Sequence, residues 1–291
     1  MQDSEFKTEV DRLIVGCGYL GSRVAAAWQQ QGLSVAATTR SPAKASEFVA
    51  KGILPIVCDV LDPETLSRLP TAKVVLHAVG FDRTSQQSMR EVYVEGLRNL
   101  LAAIPDQSRL IHISSSSVYG QTEGETVDET SPCEPTRENG QICLEAEQLL
   151  ADRANSVILR LAGIYGPERM LARAEQLEQK TPFAGNPDAW LNLIDVDDAV
   201  QAVVGAAAQD LPNTLYLVSD NEPITRRAYY TRLAELLNVP GPVFDASADD
   251  PKGDRGLNKR CSNQRLRAEL LPELQYPTIE QGLPHALQLE S

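Results

Sequence analysis

The segment Leu13-Ile14-Val15-Gly16-Cys17-Gly18-Tyr19-Leu20-Gly21 restricts what this chain can fold into more than any other. An apolar strand runs into three glycines at G-x-G-x-x-G spacing, and a helix comes next. Gly16 permits the tight turn, Gly18 leaves room for backbone to approach a pyrophosphate, and Gly21 lets the helix pack closely on the strand. The helix N-terminus, with Tyr19 and Leu20 beside it, supplies unpaired N–H groups and a favourable dipole for phosphate. As a bare pattern the spacing is weak; its place between a strand and a helix gives it weight. The competing reading is a structural glycine turn in a fold that has lost its cofactor.

Beyond the loop, the chain alternates strand and helix. Residues 22–31 read as a helix closed by Gly32, 33–38 as a strand, 42–51 as a helix and 54–58 as a strand. The alternation continues through 65–69, 73–78, 88–103 and 109–114. It resumes with a helix over 141–154 and a strand over 156–160, after a Glu-, Thr-, Pro- and Gly-rich surface excursion at 120–139. Such a series predicts an α/β fold, a doubly wound parallel sheet of the Rossmann type with right-handed crossovers. Further helices are expected over 169–179, 194–208, 225–237, 262–270 and 278–289, with a late strand at 215–218. Asp195, Asp197 or Asp198 can cap the second of these helices and Thr225 the third. Residues 1–166 are assigned mainly to the dinucleotide-binding core. Residues 167–291 are assigned to the remaining sheet elements and an interleaved, small C-terminal substrate lobe.

The second strand ends in Thr38-Thr39-Arg40-Ser41. A carboxylate at this point would bind the ribose diol of NAD. Arg40 instead offers a cation for a 2′-phosphate and a flat guanidinium for the adenine face, and Ser41 adds a hydroxyl donor. NADP is therefore the expected cofactor and NAD the alternative, while the plain reading of Arg40 is a solvated residue at a strand exit. In Cys58-Asp59-Val60, Asp59 can accept from the adenine amino group. The small residues Ala78-Val79-Gly80 would let a cofactor lie across the sheet edge. His77 reads as a packed or hydrogen-bonded residue rather than a base.

The formal charge of −13 works against nucleic-acid and anionic-membrane partners. Residues 1–11 lack the apolar core of a signal peptide, and no run reaches the length of a membrane span. The five cysteines are scattered and include no CxxC pair, usage that suits a reducing cytoplasm. With His77, His112 and His285 far apart, no histidine-based metal site is expected.

Three further stretches join the glycine loop: Ile113-Ser114-Ser115-Ser116-Ser117-Val118-Tyr119-Gly120, Leu159-Arg160-Leu161-Ala162-Gly163-Ile164-Tyr165-Gly166-Pro167, and Asn192-Leu193-Ile194-Asp195-Val196-Asp197-Asp198. Together they make most of the chain resemble the extended short-chain dehydrogenase/reductase family, which includes sugar-nucleotide epimerases and dehydratases. Members usually carry one more glycine, where this chain has Val15, so the loop resembles that of an atypical branch. The resemblance implies that Ser115 hydrogen-bonds the reacting oxygen, that Ser114 lies in the cofactor-binding edge, and that a homodimer forms. It also implies a catalytic tyrosine followed four residues later by a lysine. Here those positions are Asn139 and Cys143, which supply neither a titrating phenol nor a positive charge. Tyr119 and Tyr165 are the candidate substitute acids. Arg137, Glu138 and Trp190 are candidates for the substrate side, each with a plain structural alternative. Asn258-Lys259-Arg260 reads either as an anion-binding segment or as an exposed basic turn.

The main functional expectation is an NAD(P)-binding short-chain oxidoreductase acting on an alcohol/carbonyl pair of an unknown small-molecule substrate. One alternative is a catalytically impaired NADP-binding sensor or scaffold. The other is a sugar-nucleotide epimerase or dehydratase.

Overall fold

The computed structural model describes residues 8–208, 214–245 and 257–289. Two compact units are present. The first draws on Met1–Ser115, Glu138–Arg160 and Val203–Leu215, and the second on Ser116–Arg137, Leu161–Ala202 and Tyr216–Ser291. The division is interleaved along the chain. Contacts between sequence-distant segments set it, and local periodicity carries no trace of them.

A seven-stranded sheet is built from β1 (Glu9–Val15), β2 (Val35–Thr39), β3 (Leu54–Val57), β4 (Thr71–His77), β5 (Arg109–Ser115), β6 (Ser156–Leu161) and β7 (Thr214–Val218). Their order is β7-β6-β5-β4-β1-β2-β3. β1 pairs in parallel with β2 on one side and β4 on the other, and the pairs β2–β3 and β4–β5 are parallel too. The strand order thus reverses between β1 and β4, the crevice where doubly wound sheets receive ligands. Leu13, Ile14 and Val15 are wholly buried, as expected of a central strand covered on both faces.

The first unit contributes α1 (Tyr19–Gln30), α2 (Pro42–Ala50), α3 (Pro63–Leu66), α4 (Gly96–Ala103) and α5 (Glu138–Gln148). α1 starts three residues earlier than the sequence suggests, because Gly18 is itself the N-cap and Tyr19-Leu20-Gly21 form the first turn. Its face Val24, Ala25 and Trp28 is buried, and Gly32 ends it at φ +77°. Ser41 caps α2 by accepting from the Lys44 N–H, with Pro42 at a first-turn position. The expected helix 88–103 opens with a π-helical turn at Glu91–Glu95 before α4.

The second unit holds α6 (Leu171–Glu178), most of α7 (Val196–Ala208), α8 (Arg226–Leu237) and α9 (Ile279–Ala286). Thr225 caps α8 through the Ala228 N–H, and Asp195 accepts from the Asp197 N–H at the start of α7. A core of Leu177, Phe183, Tyr230, Leu233, Ile279 and Leu283 packs α6, α8 and α9, with Phe183 stacked on Tyr230 at 4.0 Å. The surface excursion contains a strand, Glu125–Val127, paired in parallel with Lys259–Cys261. Residues 258–260 are therefore not an exposed turn. Lys259 is buried in this ladder, while Arg260 lies over the Trp190 ring at 5.5 Å and donates to the Gly124 carbonyl.

Candidate dinucleotide site

The glycine loop is shaped by backbone contacts that leave no choice of residue. Gly16 sits at φ +94°, and a Cβ there would lie 2.5 Å from the Ala78 carbonyl and the Val79 nitrogen. The exit of β4 therefore crosses directly over it, tied by the Ala78 N–H to the Val15 carbonyl at 2.8 Å. At Gly21 a Cβ would stand 2.8 Å from the Gly16 carbonyl oxygen and 3.1 Å from Ile14, which is the close approach of helix to strand that the spacing implied. Gly18 is different, since nothing lies within 4 Å of a Cβ there. Its N–H is turned back to the Gly16 carbonyl, and the first i→i−4 bond of α1 is that of Ser22 to Gly18. Gly18 is the N-cap of α1, so an anion above it would gain from the N–H groups of the first turn of that helix. Tyr19 lines this mouth, with the Arg23 guanidinium 4.0 Å over its ring.

On the adenosine side, Arg40 is exposed and its guanidinium comes within 3.9 Å of Asp82. The Ser41 oxygen is engaged by Lys44 N–H, which leaves its O–H to donate. One Asp59 oxygen accepts from the Leu61 N–H at 2.9 Å, so the other is the one that could meet an amino group. Val60 packs on Gly96 of α4, while Ala78 and Val79 are half-buried and Gly80 is exposed with open space around it. All of these residues belong to the first unit and to the C-terminal ends of β1 to β4.

Ser115 closes β5 at a half-buried position. Ser114 is buried, and its hydroxyl donates to Glu147 of α5 at 2.5 Å. Glu147 also accepts from Arg160 Nε at 2.9 Å and from a terminal guanidinium nitrogen at 2.6 Å. Ser114 thus spends its O–H on Glu147, and its oxygen can still accept. His77 behaves as its packed reading requires, since its Nδ1 meets His112 Nδ1 at 2.9 Å inside the sheet. Burial pushes both imidazoles below their ordinary range, His112 to about 4.

Asn139 is exposed in the first turn of α5, and Cys143 is buried one turn later. Tyr119 and Tyr165 both fall in the second unit and are buried. The Tyr165 hydroxyl rests against Gly282, where a Cβ would lie 1.8 Å away, and it has no hydrogen-bond partner among the described residues. Burial raises its pKa strongly, with the Asp220 and Asp195 carboxylates adding to the effect. The second unit also brings His285 against two carboxylates, Nδ1 to Asp195 at 3.0 Å and Nε2 to Asp197 at 3.3 Å, with Tyr276 stacked on the ring. Each imidazole nitrogen faces a carboxylate oxygen, so the cluster reads as a staple between α7 and α9. Nothing in the spacing of these residues announced it.

Residues 13–218 match the model of the NAD dependent epimerase/dehydratase family. The chain belongs to that family. It is 30% identical over 280 residues to Protein YeeZ of Escherichia coli (strain K12), covering 91% of this chain and 95% of the relative. A solved structure from Methylobacillus flagellatus, provisionally named a NAD-dependent epimerase/dehydratase, is 31% identical with a TM-score of 0.76, covering 96% of this chain and 98% of that one. At 24% identity over 245 residues, the chain is also similar to the 4-hydroxy-2-methyl-3-oxo-4-farnesyl-3,4-dihydroquinoline-1-oxide ketoreductase of Stigmatella aurantiaca, covering 78% of this chain and 73% of the relative. Family membership favours the epimerase/dehydratase alternative over a plain alcohol/carbonyl oxidoreductase. Among the described residues, no helix is long and apolar enough to cross a membrane.

Proposed function

We propose that this chain binds a nicotinamide dinucleotide along the C-terminal edge of β1 to β5 and uses it in the chemistry of its epimerase/dehydratase family. The observation that carries the reading is the pairing of a forced glycine at Gly16 with open ground above Gly18. One is the turn a pyrophosphate loop needs, and the other is the clearance its ligand needs. Gly16, Gly18, Tyr19, Leu20 and Gly21 would hold the pyrophosphate. Arg40, Ser41, Asp59 and Val60 would hold the adenosine end, and Ala78, Val79, Gly80 and Ser114 would border the rest. The bound dinucleotide would supply a hydride acceptor or donor. Ser115 would orient the oxygen on the reacting carbon of a hydroxyl- or keto-bearing substrate, and sugar nucleotides are the substrate class favoured by the family.

The second reading is a dinucleotide-binding protein without turnover, acting as a sensor or scaffold. The replacement of tyrosine and lysine by exposed Asn139 and buried Cys143 favours it. Tuned proton transfer contributes about 10²–10⁴ in rate, and neither residue supplies it. On the cofactor's identity, the names of the family and of its Methylobacillus member point to NAD. Arg40, at the end of β2 without a carboxylate in its place, points to NADP. Calorimetric titration with NADH and NADPH tests both points. The site predicts binding, and the Arg40 reading predicts tighter NADPH that weakens selectively, by about tenfold, in Arg40→Ala. Equal affinities would refute the Arg40 argument. No binding of either ligand would refute the site.

A further inference from the structure

Tyr93 belongs to none of the motifs above. It sits in the π-helical turn Glu91–Glu95 that opens α4, a rare geometry that concentrates at functional sites. Its ring joins Val60, Val79 and Met89 in packing against a core that includes Ile142 and Ala146 of α5. Its hydroxyl accepts the Phe81 N–H at 3.2 Å. That bond fixes the phenol oxygen at the exit of β4, one residue beyond exposed Gly80. Burial raises the phenol's pKa, and the Phe81 N–H bond opposes the rise without cancelling it. The group is thus a neutral phenol at physiological pH, with its oxygen already accepting and its proton available to donate.

The position along the sheet narrows what it could meet. Arg40 and Asp59 mark the adenosine half of the edge, at β2 and β3. Tyr93 follows β4, on the other side of the switch point, and its π turn packs against α5, the helix whose Cys143 stands where a lysine would hold the nicotinamide-side ribose. A thiol cannot do that work. Resting on the dinucleotide reading above, we propose that Tyr93 is a binding residue for the nicotinamide-side ribose, its O–H donating to a ribose hydroxyl in place of the missing lysine. The bland alternative is that the phenol only ties the loop after β4 to the helix.

The test is calorimetry of the full chain and its Tyr93→Phe variant with NADH, NADPH and ADP, which lacks the second ribose. Fluorescence of the bound reduced nicotinamide and the thermal midpoint of the unliganded protein complete it. The variant should bind the tighter of the two dinucleotides about three- to tenfold more weakly, the size of one hydrogen bond, while ADP affinity stays unchanged. The emission of the saturated complex should shift, because the nicotinamide end is held less firmly, and the midpoint of the free protein should move little. Unchanged dinucleotide affinity, or an equal loss for ADP, would overturn the assignment and leave the dinucleotide site standing. A wild-type chain that bound neither ADP nor a dinucleotide would overturn both.

Discussion

His77 and His112 are the first groups to probe, because acid should unfold the protein through them. They face each other in the parallel register of β4 and β5, Nδ1 to Nδ1 at 2.9 Å, with their rings stacked at 5.1 Å. One nitrogen must donate and the other accept, so the pair persists as two neutral rings of complementary tautomer. Among the described residues His77 Nε2 has no hydrogen-bond partner, so no carboxylate of theirs is bonded there to welcome a positive charge. The folded pKa of each is depressed, His112 to about 4, while the unfolded chain titrates near 6.5. The stabilisation is therefore complete above pH 6.5 and is lost as pH falls toward the folded values. For His112 alone, at about 1.4 kcal/mol per pH unit, the interval is worth about 3 kcal/mol. Between about pH 6 and pH 5 the unfolded chain holds nearly two protons that the fold excludes, a slope of about 2.5 kcal/mol per pH unit. Asp220 works in the opposite direction, since burial raises its pKa to about 8 and the fold retains a proton that the unfolded chain releases. Urea unfolding of wild type and of the His77→Leu/His112→Leu double variant across this range separates the two, because Asp220 is common to both chains. The difference between the curves should carry the histidine slope. A flat or reversed difference would show that the sheet accepts an imidazolium, and the burial argument would fail.

Two further perturbations test the frame around the site. Glu147→Gln leaves the Arg160 guanidinium buried without its counter-charge and should cost about 3–5 kcal/mol in urea unfolding, against about 1 kcal/mol for Ser114→Ala. Gly16→Ala must push its Cβ into the Ala78–Val79 backbone at positive φ. It should lose dinucleotide binding and at least about 1–2 kcal/mol of stability. Gly18→Ala meets nothing within 4 Å, so in titrations it should weaken the cofactor while keeping the fold's stability.

The loop and the sheet were legible because their signals are local. An apolar run, a glycine at each tight contact and a breaker after each helix sit next to one another in the chain. The start of α1 was less so, since the apolar spacing suggests a start at Ser22 while the helix already starts at Tyr19 with Gly18 as its N-cap. The pairing of Glu125–Val127 with Lys259–Cys261 joins segments more than a hundred residues apart, and no periodicity encodes it. The same holds for the His285 staple and for the two-unit division. Tyr93 was invisible for another reason. Its significance lies in the π turn and the Phe81 bond, and a single tyrosine in an amphipathic stretch looks like core.

The residues proposed to bind and the positions where the resemblance places the reacting residues have parted company in this chain. A phosphate loop is made of backbone: its donors are amides, its requirement is clearance, and glycines at three positions suffice. Proton transfer depends on particular side chains, a phenol and an ammonium at fixed spacing, and one substitution at each removes it. Gly16, Gly18 and Gly21 keep the first set of requirements, while Asn139 and Cys143 abandon the second. Dinucleotide affinity and turnover are therefore independent quantities here, and strong binding would be no measure of catalysis. If turnover exists, its proton must pass through a group other than those at 139 and 143. If it does not, the loop, Arg40 and Tyr93 would still make up the proposed dinucleotide site, as the sensor reading requires.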